Sequence, residues 1–81
     1  MIKVRINREY RVLIGYSRPQ NGFEYVCVES PDEVGISPGF EVWESRVYSF
    51  RQRQKWSLIY KARDFGTLQT YWMKNTGLSI N

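Results

Sequence analysis

Histidine is absent from all 81 residues of this chain. The protein therefore lacks the commonest general base and the commonest metal ligand. The single cysteine, Cys27, has no activating partner of the usual kind, and no Cys/His set exists for zinc. Phosphate-binding glycine loops, nucleophile elbows and calcium-loop patterns are also missing. These absences favour a protein that is not an enzyme and needs no cofactor or metal.

Long apolar runs are missing as well, and no segment approaches the roughly 20 residues that a membrane span needs. Residues 1–5 alternate aliphatic and charged side chains, unlike the apolar block of a signal peptide. Cys27 lies in an apolar, β-type segment and cannot form an internal disulfide. We therefore expect a reduced, cytoplasmic protein that does not enter a membrane.

Aromatic residues, in contrast, are plentiful: 3 Trp, 6 Tyr and 4 Phe are spread along the whole chain. Since each ring can bury roughly 150–250 Å², they can fill one core in a single domain over residues 1–81. A domain this small cannot hide all of them. Some rings are therefore expected at the surface, where they favour contact with a partner.

Charge is segregated along the chain, which carries 12 cations, 8 anions and a net charge of +4. Residues 1–20 and 46–81 are basic, whereas residues 21–45 contain only carboxylates as charged groups. One interpretation is that acidic strands lie between basic neighbours and pair with them across a sheet. The other is a molecule with a basic face and an acidic face.

Alternating apolar residues predict strands over 2–6, 10–16, 23–29, 40–50 and 56–62. Gly15 indicates a bulge or bend in the second strand, and residues 17–22 form a dense turn signal. Segment 40–50 also has helical spacing, but its β-rich composition favours a strand, with an irregularity near residues 44–45. In the last strand, Trp56, Leu58 and Tyr60 are expected on one face.

A C-terminal helix is the clearest element, with Asp64 as N-cap, an apolar stripe at Leu68, Tyr71 and Trp72, and a stop at Gly77. Residues 31–36 suggest one short helical turn, and residues 78–80 either an edge strand or a tail. The fold class is therefore α+β: a small antiparallel meander of about five strands with one C-terminal helix. The sheet either stays open or closes into a small barrel of the SH3 or OB type.

The stretch 51–55 gives the first functional hypothesis, which is nucleic-acid binding by phosphate neutralisation and base stacking. Three cations alternate with two glutamines there and lead into Trp56. The predicted contact residues are Arg51, Gln52, Arg53, Lys55, Arg46, Lys61, Arg63, Lys3 and Arg5, with Tyr48, Trp56 and Tyr60 as candidate stacking rings. The alternative is a hairpin tip protected by charge, with Trp56 in the core.

The second hypothesis is a protein-binding inhibitor or regulator, of the kind that phages and mobile elements encode. Aromatic residues and arginine are enriched at interface hot spots, and the acidic segment could meet a basic partner. The candidate contact residues are Trp43, Tyr16, Phe23, Glu41 and Glu44. An edge strand could also pair two copies of the chain into a homodimer.

Overall fold

The computed structural model describes residues 1–31, 39–47 and 54–80. Its elements are β1 (Lys3–Ile6), β2 (Glu9–Gln20), β3 (Phe23–Glu29), β4 (Phe40–Arg46), β5 (Trp56–Ala62) and α1 (Phe65–Thr76). The strands are antiparallel and follow the order β1-β2-β3-β4-β5, so the sheet is open and β1 and β5 are its edges. The predicted α+β meander with a C-terminal helix is confirmed. Among these residues no helix has the length and apolar character needed to cross a membrane.

The predicted limits of β3 and β5 agree with the structure, and β4 confirms a strand over the first part of the ambiguous segment. The end of that segment, 48–50, lies outside the described residues. The same holds for residues 32–36 of the predicted helical turn and for residues 51–53 of the basic loop.

Strand β2 is longer than predicted, because residues 17–20 continue the strand and only Asn21 and Gly22 form the turn. Both turn residues have positive φ angles, 52° and 82°, which suits a tight two-residue hairpin. Pro19 lies where the pairing of β2 with β3 is irregular. Proline has no backbone N–H to donate, and this is tolerated where the pairing is irregular. Strand β2 therefore continues through Pro19.

A bend at Gly15 divides β2 into two parts, as its glycine predicts. The first residues of β2 pair with β1, the later ones pair with β3, and the register shifts between Leu13 and Gly15. The β1–β2 hairpin thereby folds over one side of the sheet, here called the hairpin face. The apolar side chains packed there are Val4, Ile6, Leu13, Val26, Val28, Trp43 and Trp56.

Helix α1 covers the other side of the sheet, here called the helix face. The buried residues of this cluster are Cys27, Val42, Ala62, Leu68, Trp72 and Ile80. Gly15 permits the close approach of the helix: a Cβ atom there would lie 2.9 Å from the Cys27 sulfur and 3.6 Å from the Trp72 ring. The bend in β2 and the docking of α1 therefore depend on the same missing side chain.

The predicted caps of α1 are both present. The Asp64 carboxylate accepts the Thr67 N–H at 2.7 Å, and this bond, with a second one from the Thr67 hydroxyl, lowers the pKa of Asp64. Gly77 adopts φ 73° and donates its N–H to the Met73 carbonyl. Residues 78–80 after it form no strand, and Ile80 is buried.

An irregularity in β5 corrects the expectation that Trp56 and Tyr60 share a face. Val42 pairs with Tyr60 but Trp43 pairs with Leu58, which leaves Ile59 as an extra residue. Such a bulge reverses the alternation of side chains. Trp56 consequently packs on the hairpin face, while Tyr60 turns to the helix face.

Tyr60 stacks there on Tyr71, with 3.8 Å between the ring centroids and an angle of 2° between the planes. The irregularity expected near residues 44–45 is not found there, since β4 pairs with β3 in unbroken register.

Candidate nucleic-acid interface

The tip of the β1–β2 hairpin is joined to the start of β5 by the side chain of Asn7. Its Nδ2 donates to the Trp56 carbonyl, and its Oδ1 accepts the Trp56 N–H, each over 3.3 Å. Asn7 has φ 57°, a left-handed conformation that asparagine tolerates better than most residues. One side chain therefore supplies the donor and the acceptor that a neighbouring strand would offer.

This contact collects basic residues from two separate hairpins. Arg5, Arg8, Gln54 and Trp56 line one surface depression together with Asn7. The exposed Lys55 immediately precedes Trp56. We call Arg5, Arg8, Gln54, Lys55 and Trp56 the Trp56 site.

The polar residues of the Trp56 site are exposed, and the Trp56 ring is half-buried. One side of the ring is therefore held by the core while the rest borders solvent and cations. Within the described part of the chain, no carboxylate forms an ion pair with the three cations of this site. Their charges are available to an anionic ligand.

The outer face of the β1–β2 hairpin extends the basic surface. Lys3 and Arg5 alternate with the inward-packed Val4 and Ile6, so their side chains share the solvent side of β1. Arg5 pairs across the strands with Tyr10, a residue that is 65% exposed. This face therefore places an uncovered aromatic ring beside cations.

Two other predicted contact residues lie apart from the Trp56 site. Lys61, in β5, and Arg63, just after it, follow Trp56 by five and seven residues, a separation of about 17 Å or more at the rise of a strand. Arg46 is different: it follows Ser45, which pairs with Trp56, so its backbone lies near the site, but its guanidinium lies over the Phe23 ring, 5.6 Å from the centroid. The remaining predicted contacts, Arg51, Gln52 and Arg53, lie outside the described residues.

Two candidate protein-contact residues, Glu41 and Trp43, belong to a buried polar network. Glu41 is 6% exposed and accepts the Trp43 indole N–H at 3.1 Å. The Arg11 side chain lies 3.5 Å from Glu41 and 2.7 Å from Glu9. Since burying a charge is favourable only when it is paired, this network fixes the hairpin on β4, and Glu41 is not open to a partner.

Two other described acidic side chains of the middle segment, Glu24 and Glu44, meet tyrosines. The Tyr16 hydroxyl donates to Glu24 at 2.6 Å, and this bond raises the pKa of Tyr16. Burial, together with the neighbouring Glu44 carboxylate, raises the pKa of Tyr25. Among the described carboxylates of segment 21–45, Glu41 alone forms an ion pair with a cation. Cross-strand ion pairing thus explains little of the charge segregation.

Sequence reasoning missed three residues of this surface: Asn7, Arg8 and Tyr10. Asparagine and arginine after an alternating strand indicate only a turn. Tyr10 begins an apolar alternation, which predicts burial, whereas the bend at Gly15 leaves it outside. The sequence feature that could have indicated these residues is the cluster of charges around the first turn.

Comparison with known proteins assigns no family: no family model matches the chain, and no curated protein or solved structure is significantly similar to it. Side-chain placement, exposure and charge are therefore what support a function.

Proposed function

We propose that this protein is a non-catalytic module that binds nucleic acid through the Trp56 site and the outer face of the β1–β2 hairpin. The observation that carries the proposal is the pair of hydrogen bonds between Asn7 and Trp56. These bonds bring Arg5 and Arg8 of the first hairpin to the half-buried Trp56 ring, which Gln54 also borders. The exposed Lys55 is the residue before Trp56 in the chain.

The physical basis is phosphate neutralisation. Cations that contact phosphates release condensed counterions, so affinity falls as salt concentration rises. Exposed amides such as Gln54 can add hydrogen bonds to sugars or base edges. Arg51 and Arg53 stay in the proposal as sequence-based expectations, because they precede Gln54 closely in the chain. The carboxylates of Glu41, Glu24 and Glu44 are engaged elsewhere and do not oppose an anion at this site.

The test is a salt titration with fluorescently labelled oligonucleotides. If Arg5, Arg8 and Lys55 contact three phosphates, affinity should fall about 20- to 40-fold between about 50 and 200 mM salt. Replacing all three residues by Ala should remove most of the binding and most of the salt dependence.

A matched control variant replaces Lys61, Arg63 and Lys74 by Ala, which removes the same charge from other exposed positions. We expect it to bind within about threefold of the parent protein. Equal loss in the two variants would show a nonspecific effect of net charge. Absence of salt-dependent binding by the unmodified protein would refute the proposal.

A second candidate function, binding of a protein partner, is favoured by the edge strand β5. Within the described residues no strand pairs with the outer side of β5, and Asn7 occupies only its first residue. An extended segment of a partner could add there as a further strand, as in other edge-recognition complexes. Such a complex should form equally well with the Arg5, Arg8 and Lys55 triple variant, which separates the two functions.

A further inference from the structure

We infer that the nucleic acid bound by this surface is single-stranded and that Tyr10 is the platform on which one of its bases stacks. This inference rests on the proposed function and names the ligand class and a contact residue for the same surface.

Tyr10 is more exposed than any other tyrosine in the described part of the chain. The residue is 65% exposed, whereas the next, Tyr16, is 47% exposed and hydrogen-bonded to Glu24. Tyr60 and Tyr71 cover each other by stacking. The Tyr10 backbone carbonyl accepts a hydrogen bond from Arg11, but its ring belongs to neither apolar cluster. The ring is therefore free to receive a flat ligand.

The neighbours of Tyr10 include cations that a nucleic-acid strand could use, together with one carboxylate residue, Glu29, which lines the same depression as Tyr10 and Lys3. Arg5 pairs with Tyr10 across the hairpin, and Lys3 pairs with Val12 on the same outer face. Because these cations flank the ring, a base on Tyr10 would have its phosphates beside them. Aromatic rings between cations are the recurring arrangement for single strands, since every base offers a π face.

The Trp56 site continues this surface beyond Arg5. The arginine lines the depression that holds the half-buried Trp56 ring, so Arg5 connects the two aromatic positions. A single strand that passes from Tyr10 to Trp56 would meet Arg5, which pairs with Tyr10, and Arg8, which lines the same depression as Trp56.

A duplex would not use the Tyr10 ring, because its bases are already stacked on one another. It would contact the cations alone, through its phosphates. The exposure of Tyr10 beside Arg5 and Lys3 on the outer face therefore favours unpaired bases as the ligand.

The experiment measures binding of a single strand of about 12 nucleotides, within the range of roughly 4–16 that small β-domains cover, of the duplex of the same sequence, and of heparin as a polyanion without bases. Tyr10→Leu removes the ring, and Tyr10→Phe keeps it. Tyr16→Leu is the matched control, since it removes another exposed tyrosine outside this surface. Circular dichroism checks that the variants fold.

We expect the single strand to bind best and Tyr10→Leu to weaken its binding about 5- to 150-fold. Tyr10→Phe and Tyr16→Leu should stay within about twofold of the parent protein. The salt dependence of Tyr10→Leu should be unchanged, because no phosphate contact is lost.

Equal or tighter binding of the duplex or of heparin, with no effect of Tyr10→Leu, would overturn this inference and leave the proposed function standing. Absence of salt-dependent binding to either nucleic acid would overturn both.

Discussion

The amide side chain of Asn7 makes two hydrogen bonds to the backbone of Trp56, a residue 49 positions later in the chain. The contact spans the two hairpins at opposite edges of an open sheet. A single side chain here takes the place of the hydrogen-bond ladder between two strands. The candidate nucleic-acid surface lies around this contact.

Replacing Asn7 by Gly should lower the free energy of unfolding by about 1 kcal/mol, since two exposed hydrogen bonds are lost. Glycine keeps the left-handed backbone of Asn7, so the change isolates the side chain. Asn21→Gly is the matched control, because Asn21 has a similar φ of 52°. Urea denaturation gives the free energies, and hydrogen exchange of the Trp56 amide should become faster only in Asn7→Gly. Equal urea midpoints together with unchanged exchange at Trp56 would speak against the contact.

Two glycine-to-alanine changes should have opposite effects on stability. Gly15→Ala places a Cβ atom 2.9 Å from the Cys27 sulfur and should cost about 1–3 kcal/mol through overpacking. Gly66→Ala lies in the first turn of α1, where the nearest atom is 3.4 Å away. Alanine is the better helix former there, so stability should rise by about 0.5–1 kcal/mol. Thermal denaturation of both variants checks the signs, and a neutral Gly15→Ala would mean that the helix does not pack closely on the bend.

Trp72→Ala should cost about 3–5 kcal/mol, because the ring is 1% exposed and packs between α1 and the sheet. That is a large part of the roughly 5–15 kcal/mol that stabilises a typical domain. Phe65→Ala is the comparison: Phe65 is 44% exposed and touches Phe40 only edge to face. Phe65→Ala should lower the free energy of unfolding far less in the same denaturation experiment. Similar losses in the two variants would mean that α1 does not pack on the sheet through Trp72.

The Cys27 thiol should resist alkylation in the folded protein. Burial raises its pKa to about 12, so at about pH 8 only about one thiol in 10⁴ is ionised. Iodoacetamide should therefore label Cys27 only in urea, as mass spectrometry would show. Rapid labelling of the folded protein at this pH would contradict the burial of Cys27.

The same shift has a consequence for stability at high pH. Below pH 9.0 the thiol is neutral in both the folded and the unfolded state, so its full contribution to the free energy of unfolding is present. Between 9.0 and about 12 only the unfolded state ionises, so the free energy of unfolding should fall. Cys27→Ala should show a smaller fall over this range than the parent protein.

Local patterns predicted most of the fold. The caps of α1, the limits of β3 and β5 and the bend at Gly15 follow from residues close in sequence. The reversal of Tyr60 depends on the extra residue Ile59, which is visible only once β5 is aligned with β4. A one-residue bulge changes the face of every later side chain, so the alternation alone could not reveal it.

The candidate site was less accessible to sequence reasoning. The cations Arg5 and Lys55 could be named, because charge segregation along the chain points to them. Their proximity could not be predicted. It depends on the hydrogen bonds of Asn7 to Trp56, 49 residues later, and on a bend that folds one hairpin over the sheet. Tyr10 was missed for the same reason.

Titration of the ¹⁵N-labelled protein with a single-stranded oligonucleotide would locate the bound surface through the backbone amides and the 3 tryptophan indole signals. We expect the Trp56 indole and the amides of Arg5 and Arg8 to shift. The Trp72 indole, buried under α1 on the helix face, should stay in place. No shift at saturating oligonucleotide, or the largest shifts on the helix face, would contradict nucleic-acid binding at the Trp56 site.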